Sequence, residues 1–221
     1  MSDFATARQK MVDGQVRPSD VTDQRIIDAF LAVPRETFVP DRQRAIAYLD
    51  LDIDVAAAGA AKRYLIKPVV LAKLIQAATI SATDRVLVVG SATGYSAAII
   101  AHLAGEVFAT EPDPALAASA KSNLASLGLS NVQVAAAEPV AGDATHAPYD
   151  VIVLDGATEV EPKSLYQQLK MGGRLVGVFA QKKPPRATLV AHSPADFGSR
   201  VLFDASAPVL PGFERLPAFS F

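Results

Sequence analysis

The chain has no cysteine at all, which removes disulfides, thiolate nucleophiles, zinc knuckles and iron–sulfur ligation together. It also lacks a surplus of charge. The 21 Lys and Arg stand against 23 Asp and Glu, a formal net charge of −2, and both signs are spread along the chain. That leaves no electrostatic footprint for nucleic acid. No apolar run approaches the length of a membrane span, and Met1–Lys10 carries no apolar core of a signal peptide. His102, His146 and His192 stand apart without ligand spacing, so no metal site is expected. What the chain has is apolar residues: half of its 221 positions, enough for one substantial core without covalent staples. A soluble, cytoplasmic globular protein is the expectation.

The most informative stretch is Val86 to Tyr95, Val-Leu-Val-Val-Gly-Ser-Ala-Thr-Gly-Tyr. Four apolar residues run into Gly90, Gly94 follows, and an apolar helical stretch opens at once. A buried strand, a glycine turn and a helix N-terminus in that order suit a nucleotide cofactor, because the orphan N–H groups of the helix can receive a polar ligand. Glu111 ends a second apolar run seventeen residues beyond Gly94, where an acid can take both hydroxyls of a ribose. The dinucleotide fingerprint needs a third glycine where this chain has Tyr95, which disfavours a diphosphate cradle and a nicotinamide oxidoreductase. The loop suits a ribose carrying a small zwitterion, such as S-adenosylmethionine. The plain alternative is a tight strand–helix turn that binds nothing.

Along the chain, residues 1 to about 62 read as a helical and irregular N-terminal extension packed on a core domain of residues 63–221. Thr22 can cap a helix with Ile26, Ile27, Phe30 and Leu31 on one face, ending before Pro34. Pro68 suits the first position of another helix. From Thr83 onward the pattern alternates: strand 86–90, helix 95–103, strand 106–110, helix 114–126 capped by Asp113, strand 131–135, strand 150–155, helix 162–170 closed by Gly172-Gly173, strand 174–180. Residues 188–192, 200–203 and roughly 207–219 read as further strands without helices between them. The expected fold is α/β: a doubly wound, mostly parallel seven-stranded sheet, Rossmann-like, with an antiparallel C-terminal edge. Ligands of such sheets sit at the carboxyl ends of the strands, which places Gly90–Gly94, Glu111, Ala137–Asp143 and Asp155–Ala157 at the site.

With Gly90-x-Ala92-x-Gly94 and Glu111, the chain resembles Rossmann-like S-adenosylmethionine-dependent methyltransferases, and more narrowly the protein-L-isoaspartate O-methyltransferase family. The strings that carry the resemblance are Met11-Val12, Gln15-Val16-Arg17, Val33-Pro34-Arg35-Glu36-x-Phe38-Val39-Pro40, Ala47-Tyr48-x-Asp50, Asp84-Arg85-Val86-Leu87, Ala147-Pro148-Tyr149-Asp150 and Gln168-Leu169-Lys170-x-Gly172-Gly173-Arg174-Leu175-Val176. They cover residues 11 to about 180, and the last forty diverge. The resemblance implies methyl-ester formation on isoaspartyl residues of damaged proteins, with S-adenosylmethionine bound by Gly90, Ser91, Ala92, Thr93, Gly94, Tyr95, Glu111 and Glu138 and released as S-adenosylhomocysteine. Four departures matter. Val88 replaces a family acid, Ala92 a glycine, and Ala137-Glu138 a Gly-Asp pair, from which Glu138 can still reach the adenine amino group. Tyr64-Leu65-Ile66-Lys67-Pro68 replaces Thr-Ile-Ser-Gln/Ala-Pro, so the serine that binds the substrate carboxylate becomes Ile66.

A carboxylate acceptor is ionised at neutral pH, so methyl transfer to it needs positioning rather than a general base. Lys67 can offer an anionic substrate a charge-assisted hydrogen bond, or stand as a solvated charge before the helix. Asp155 ends a strand on the ligand side, facing the acceptor or bonding loop amides. Arg35 can bridge the N-terminal segment to the core as an ion pair. Lys182-Lys183-Pro184-Pro185-Arg186 reads as a solvated hairpin loop. The partners implied are a peptide or protein with an isoaspartyl carboxylate, or another small acceptor, with no nucleic acid and no membrane. The competing reading is a diverged, non-catalytic member that binds the cofactor, or nothing, and acts through interactions.

Overall fold

A computed structural model describes residues 3–216. Seven strands form one sheet, in spatial order β5-β4-β3-β6-β7-β8-β9. In chain order these are β3 (Arg85–Val89), β4 (Glu106–Glu111), β5 (Val132–Ala136), β6 (Tyr149–Thr158), β7 (Leu169–Phe179), β8 (Arg186–His192) and β9 (Phe197–Asp204). A two-stranded antiparallel pair, β1 (Ile53–Asp54) and β2 (Tyr64–Leu65), lies before them. Strands β3 to β7 pair in parallel, and β7, β8 and β9 close the edge antiparallel. Because β6 pairs with β3 on the side away from β4, the strand order reverses there, and the carboxyl ends of β3, β4 and β6 enclose the switch point where ligands of such sheets sit.

The period of two sorts the β3 side chains. Val86 and Val88 join one buried cluster; Leu87 and Val89 join another on the opposite face. The first face is covered by α1 (Phe4–Met11), α2 (Gln24–Ala32), α3 (Pro68–Ala78), α4 (Tyr95–Ala101) and α5 (Pro114–Ser126). Asp113 caps α5 as expected, its Oδ1 accepting from the amides of Ala115 at 2.8 Å and Leu116 at 3.2 Å, with Pro114 at the first position. Among the described residues the second face is covered by the four-residue α6 (Lys163–Tyr166), loop residues such as Ala147 and Val160, and the C-terminal segment, whose Leu210 and Phe213 are buried there.

Several local expectations are corrected. Asp23, not Thr22, caps α2. The helix expected over 162–170 stops at Tyr166, and Leu169 already belongs to β7, so Gly172-Gly173 lies within that strand instead of closing a helix. The reason is space. A Cβ at Gly173 would stand 2.8 Å from the Lys170 carbonyl and 2.9 Å from that of Tyr149, a close approach between strands that glycine alone permits. The strand expected over 207–219 is a single bridge from Val209 to Ala157, and residues 217–219 lie outside the described residues.

Much of the motif content is structural. At the end of the sheet opposite the switch point, the Arg85 amide donates to Asp150 at 2.8 Å and the Lys170 ammonium to the same carboxylate at 2.7 Å. Arg174 donates to Asp84 at 2.8 Å and closes the C-terminus of α3 through the Ala78 carbonyl at 2.6 Å. Among the described residues no helix is long and apolar enough to cross a membrane.

Candidate functional site

The glycine loop and the acid at the end of the neighbouring strand β4 form one hydrogen-bonded unit. Gly90 and Ser91 both donate their amides to the Thr110 carbonyl at 2.9 Å, which docks the loop on β4. Glu111 Oε2 then accepts the Ala92 amide at 2.8 Å. Gly90 and Gly94 adopt left-handed backbone (φ 77° and 97°), and so does Ala92 (φ 49°), at a cost of about 1 kcal/mol for a residue with a Cβ. The bond to Glu111 holds Ala92 in that conformation. A Cβ at Gly94 would also press on Ala120, 3.2 Å away, so α4 and α5 pack against bare backbone.

Each residue expected at the cofactor site can now be placed. Ser91 is fully buried and its hydroxyl has no partner among the described residues. Thr93 donates its hydroxyl to the Phe38 carbonyl at 2.5 Å, tying the loop to the Pro34–Pro40 motif. Tyr95 packs inward, edge-on to Phe30 and Phe38, with the Arg35 guanidinium 4.6 Å from its ring centre. Burial pushes its phenol up to about 12. Glu138 is exposed at the rim, while Ala137 continues the β5 pairing through a bond to the Glu111 carbonyl at 3.3 Å.

Glu111 itself is wholly buried and paired. Arg63, just before β2, meets its two oxygens with Nε at 3.0 Å and Nη2 at 2.7 Å, and Nη2 also donates to the Gly90 carbonyl at 2.9 Å. A planar fork on a buried carboxylate is a strong, directional pair. Arg63 escaped the sequence reading because an isolated arginine in a short loop carries no motif.

On the acceptor side, the Ile66 side chain is buried in the core, and its carbonyl accepts from Arg35 at 2.9 Å. Among the described residues Arg35 makes no ion pair, contrary to expectation. It is fully buried, stacks on Tyr95 and leaves Nε and Nη1 without partners. Lys67 is half-buried at the start of α3, its ammonium 3.8 Å from Asp52 and 3.2 Å from the Ser206 hydroxyl. Two amides at the start of α3 are already taken: Lys67 donates to Asp52 at 3.0 Å and Val69 to Asp50 at 3.1 Å. Those two aspartates were missed as caps because they lie fifteen and nineteen residues upstream. Asp155 does not end its strand as expected: it is buried within β6, one residue past the last position paired with β3, and one oxygen accepts the Ser96 hydroxyl at 2.5 Å while the other has no partner among the described residues. Burial pushes its carboxyl up to about 6.

The donor and acceptor set fits a ribose-bearing zwitterion. The Ser91 hydroxyl and Asp155 Oδ1 are unpartnered and buried beside a glycine turn, and each such group is costly unless a ligand satisfies it. The space is taken by this chain's own side chains. A Cβ at Gly90 would meet Leu210 at 2.5 Å and Arg63 at 3.1 Å, and one at Gly156 would meet Leu210 at 2.7 Å. An open groove of about 470 Å³ lies instead beside the β7–β8 loop, lined by residues such as Tyr166, Phe179, Lys183 and Arg186, none from the glycine loop.

The family model described as protein-L-isoaspartate(D-aspartate) O-methyltransferase matches residues 6–191. A protein-L-isoaspartate O-methyltransferase of Rhodopseudomonas palustris is 37% identical over 206 residues, covering 92% of this chain and 93% of its own. A protein-L-isoaspartate O-methyltransferase 2 of an Anaeromyxobacter species is 39% identical over 171 residues, 77% of this chain and 69% of its own. Among solved structures, a protein-L-isoaspartate O-methyltransferase superposes with a TM-score of 0.82 at 24% identity, covering 93% of this chain and 66% of that one. A Plasmodium falciparum protein described as a putative member, in complex with S-adenosyl-L-homocysteine, superposes at 0.74 with 15% identity, covering 95% and 99%. These two likenesses bear on the fold.

Proposed function

The chain belongs to the protein-L-isoaspartate O-methyltransferase family, and from that premise we propose that it methylates a carboxylate of the isoaspartyl kind on a peptide or protein, with S-adenosylmethionine as donor. One observation carries this reading: the Glu111 carboxylate is bonded to the Ala92 amide at 2.8 Å, so the ribose acceptor and the glycine loop are a single preformed unit at the switch point. Gly90, Ser91 and Gly94 would cradle the amino-acid end, Glu111 the ribose and Glu138 the adenine edge. The bound cofactor supplies a methyl group on a sulfonium, an already activated carbon.

The chain's own residues then need only hold the acceptor in line. An ionised carboxylate attacks without a base, which agrees with the absence of a His–Asp or Ser–His pair among the residues at the switch point. Lys67 is the acceptor-side cation, since Ile66 has no hydroxyl and faces the core. Asp155, beside Ser96, borders the same end of the sheet. The buried Ile66 and the paired Glu111 also favour a second reading, a non-catalytic member of the same fold, which methyl transfer separates from the first.

Calorimetric titration with S-adenosylhomocysteine tests the cofactor half of the proposal. Binding is expected, and Glu111→Gln weakens it about tenfold or more by replacing a charged acceptor with a neutral one. No heat at millimolar ligand contradicts the proposal.

A further inference from the structure

The C-terminal segment after β9 crosses the mouth of the cofactor cleft. The Ala157 amide donates to the Pro208 carbonyl at 2.8 Å and the Leu210 amide to the Ala157 carbonyl at 2.9 Å, so the segment lies on the carboxyl end of β6 as one further parallel bridge at Val209. The Glu159 amide donates to the Phe213 carbonyl at 2.9 Å and the Arg215 amide to the Glu159 carboxylate at 2.8 Å. Gly212 approaches Val140 of the loop after β5; a Cβ there would stand 3.0 Å from it. Ser206 accepts from Lys67 on the acceptor side. One short segment thus touches β6, the β5 loop and the start of α3, and drives Leu210 to 1% exposure between Gly90 and Gly156.

We propose that residues 206–213, together with Arg63, are a built-in plug of the cofactor cleft that must withdraw before an adenosyl ligand enters. The proposal rests on the cofactor reading above. Arg63 presents two N–H donors, 2.7 and 3.0 Å from the two oxygens of Glu111, as the two hydroxyls of a ribose would. Leu210 fills the volume over the bare glycine backbone that a cofactor would approach. Its segment 206–213 lies beyond residue 191, where the match to the family model ends, while Arg63 lies within the matched residues.

A ligand that binds only the open form has its apparent affinity reduced by the fraction of molecules that are open. Removing the plug's buried side chain therefore tightens binding without adding a contact. Titrated with S-adenosylhomocysteine, the full-length Leu210→Ala variant is expected to bind about tenfold more tightly than the unaltered chain. Hydrogen exchange on the unaltered protein gives an independent readout: saturating S-adenosylhomocysteine speeds exchange at the amides of Leu210 and Phe213, while the β3 amides of Val86 to Val89 stay protected. Binding of S-adenosylhomocysteine with no loss of protection at Leu210 and Phe213 overturns the plug and leaves the cofactor reading intact. Absence of binding by both the unaltered chain and Leu210→Ala overturns both.

Discussion

Asp155 is a buried carboxyl group, with one oxygen on the Ser96 hydroxyl and the other without a partner among the described residues. Its acidity follows from that placement. With an ordinary value of 3.8 in the unfolded chain and about 6 in the folded one, the native state holds a proton that the unfolded state has lost between those limits. Stability therefore falls as pH rises from about 4 to 6, and above that the penalty of a buried charge is fully present. Asp155→Asn removes that penalty, on the order of 2–3 kcal/mol at pH 7.5 and close to none at pH 4. Urea midpoints measured at the two pH values check this; an equal shift at both contradicts it. At the same scale, Gly90, Gly94 and Glu111 were legible because only glycine turns that tightly and only an acid suits the end of β4. Arg63 and Leu210 were not, since their role is set by which loop lands on the cleft, a tertiary fact that no local pattern holds.

Elements were legible in proportion to their local signals. Helix α5 was bounded correctly at both ends because Asp113 caps it and Pro114 starts it. Asp113→Ala is expected to cost about 1 kcal/mol, visible as a lower urea midpoint with an unchanged slope. An unchanged midpoint means that the cap contributes nothing. The region around α6 shows the opposite case. Leu165, Tyr166 and Leu169 are all buried, and that short apolar spacing serves a four-residue helix running into a strand as well as it serves a nine-residue helix. Pairing with β6 decided between them, through Tyr149 opposite Leu169. Gly172-Gly173, a helix stop in isolation, became the place where two strand backbones touch.

For the molecule as a whole, alternating strands and helices from Arg85 to Ser126, and β6 and β7 beyond them, dictated a parallel sheet. The β8–β9 hairpin supplied the antiparallel edge. The switch point, where the candidate site lies, followed from topology. The sequence did not disclose how the sheet's second face is covered. It has one turn of helix and loop residues such as Ala147 and Val160, and the C-terminal segment adds Leu210 and Phe213. Leu210, which helps complete the core, also lies over Gly90 and Gly156, which couples residues 206–213 to the candidate site. Family membership and the hydrogen-bonded glycine-loop and Glu111 unit argue for catalysis, against Ile66 standing where the resemblance implies a serine. The most direct test is transfer of labelled methyl from S-adenosylmethionine to an isoaspartyl peptide, with the aspartyl peptide of the same sequence as control. Label on the isoaspartyl peptide alone, as a base-labile ester, is the predicted result. Bound S-adenosylmethionine with no transfer to either peptide would contradict the enzyme and leave a binding protein in its place.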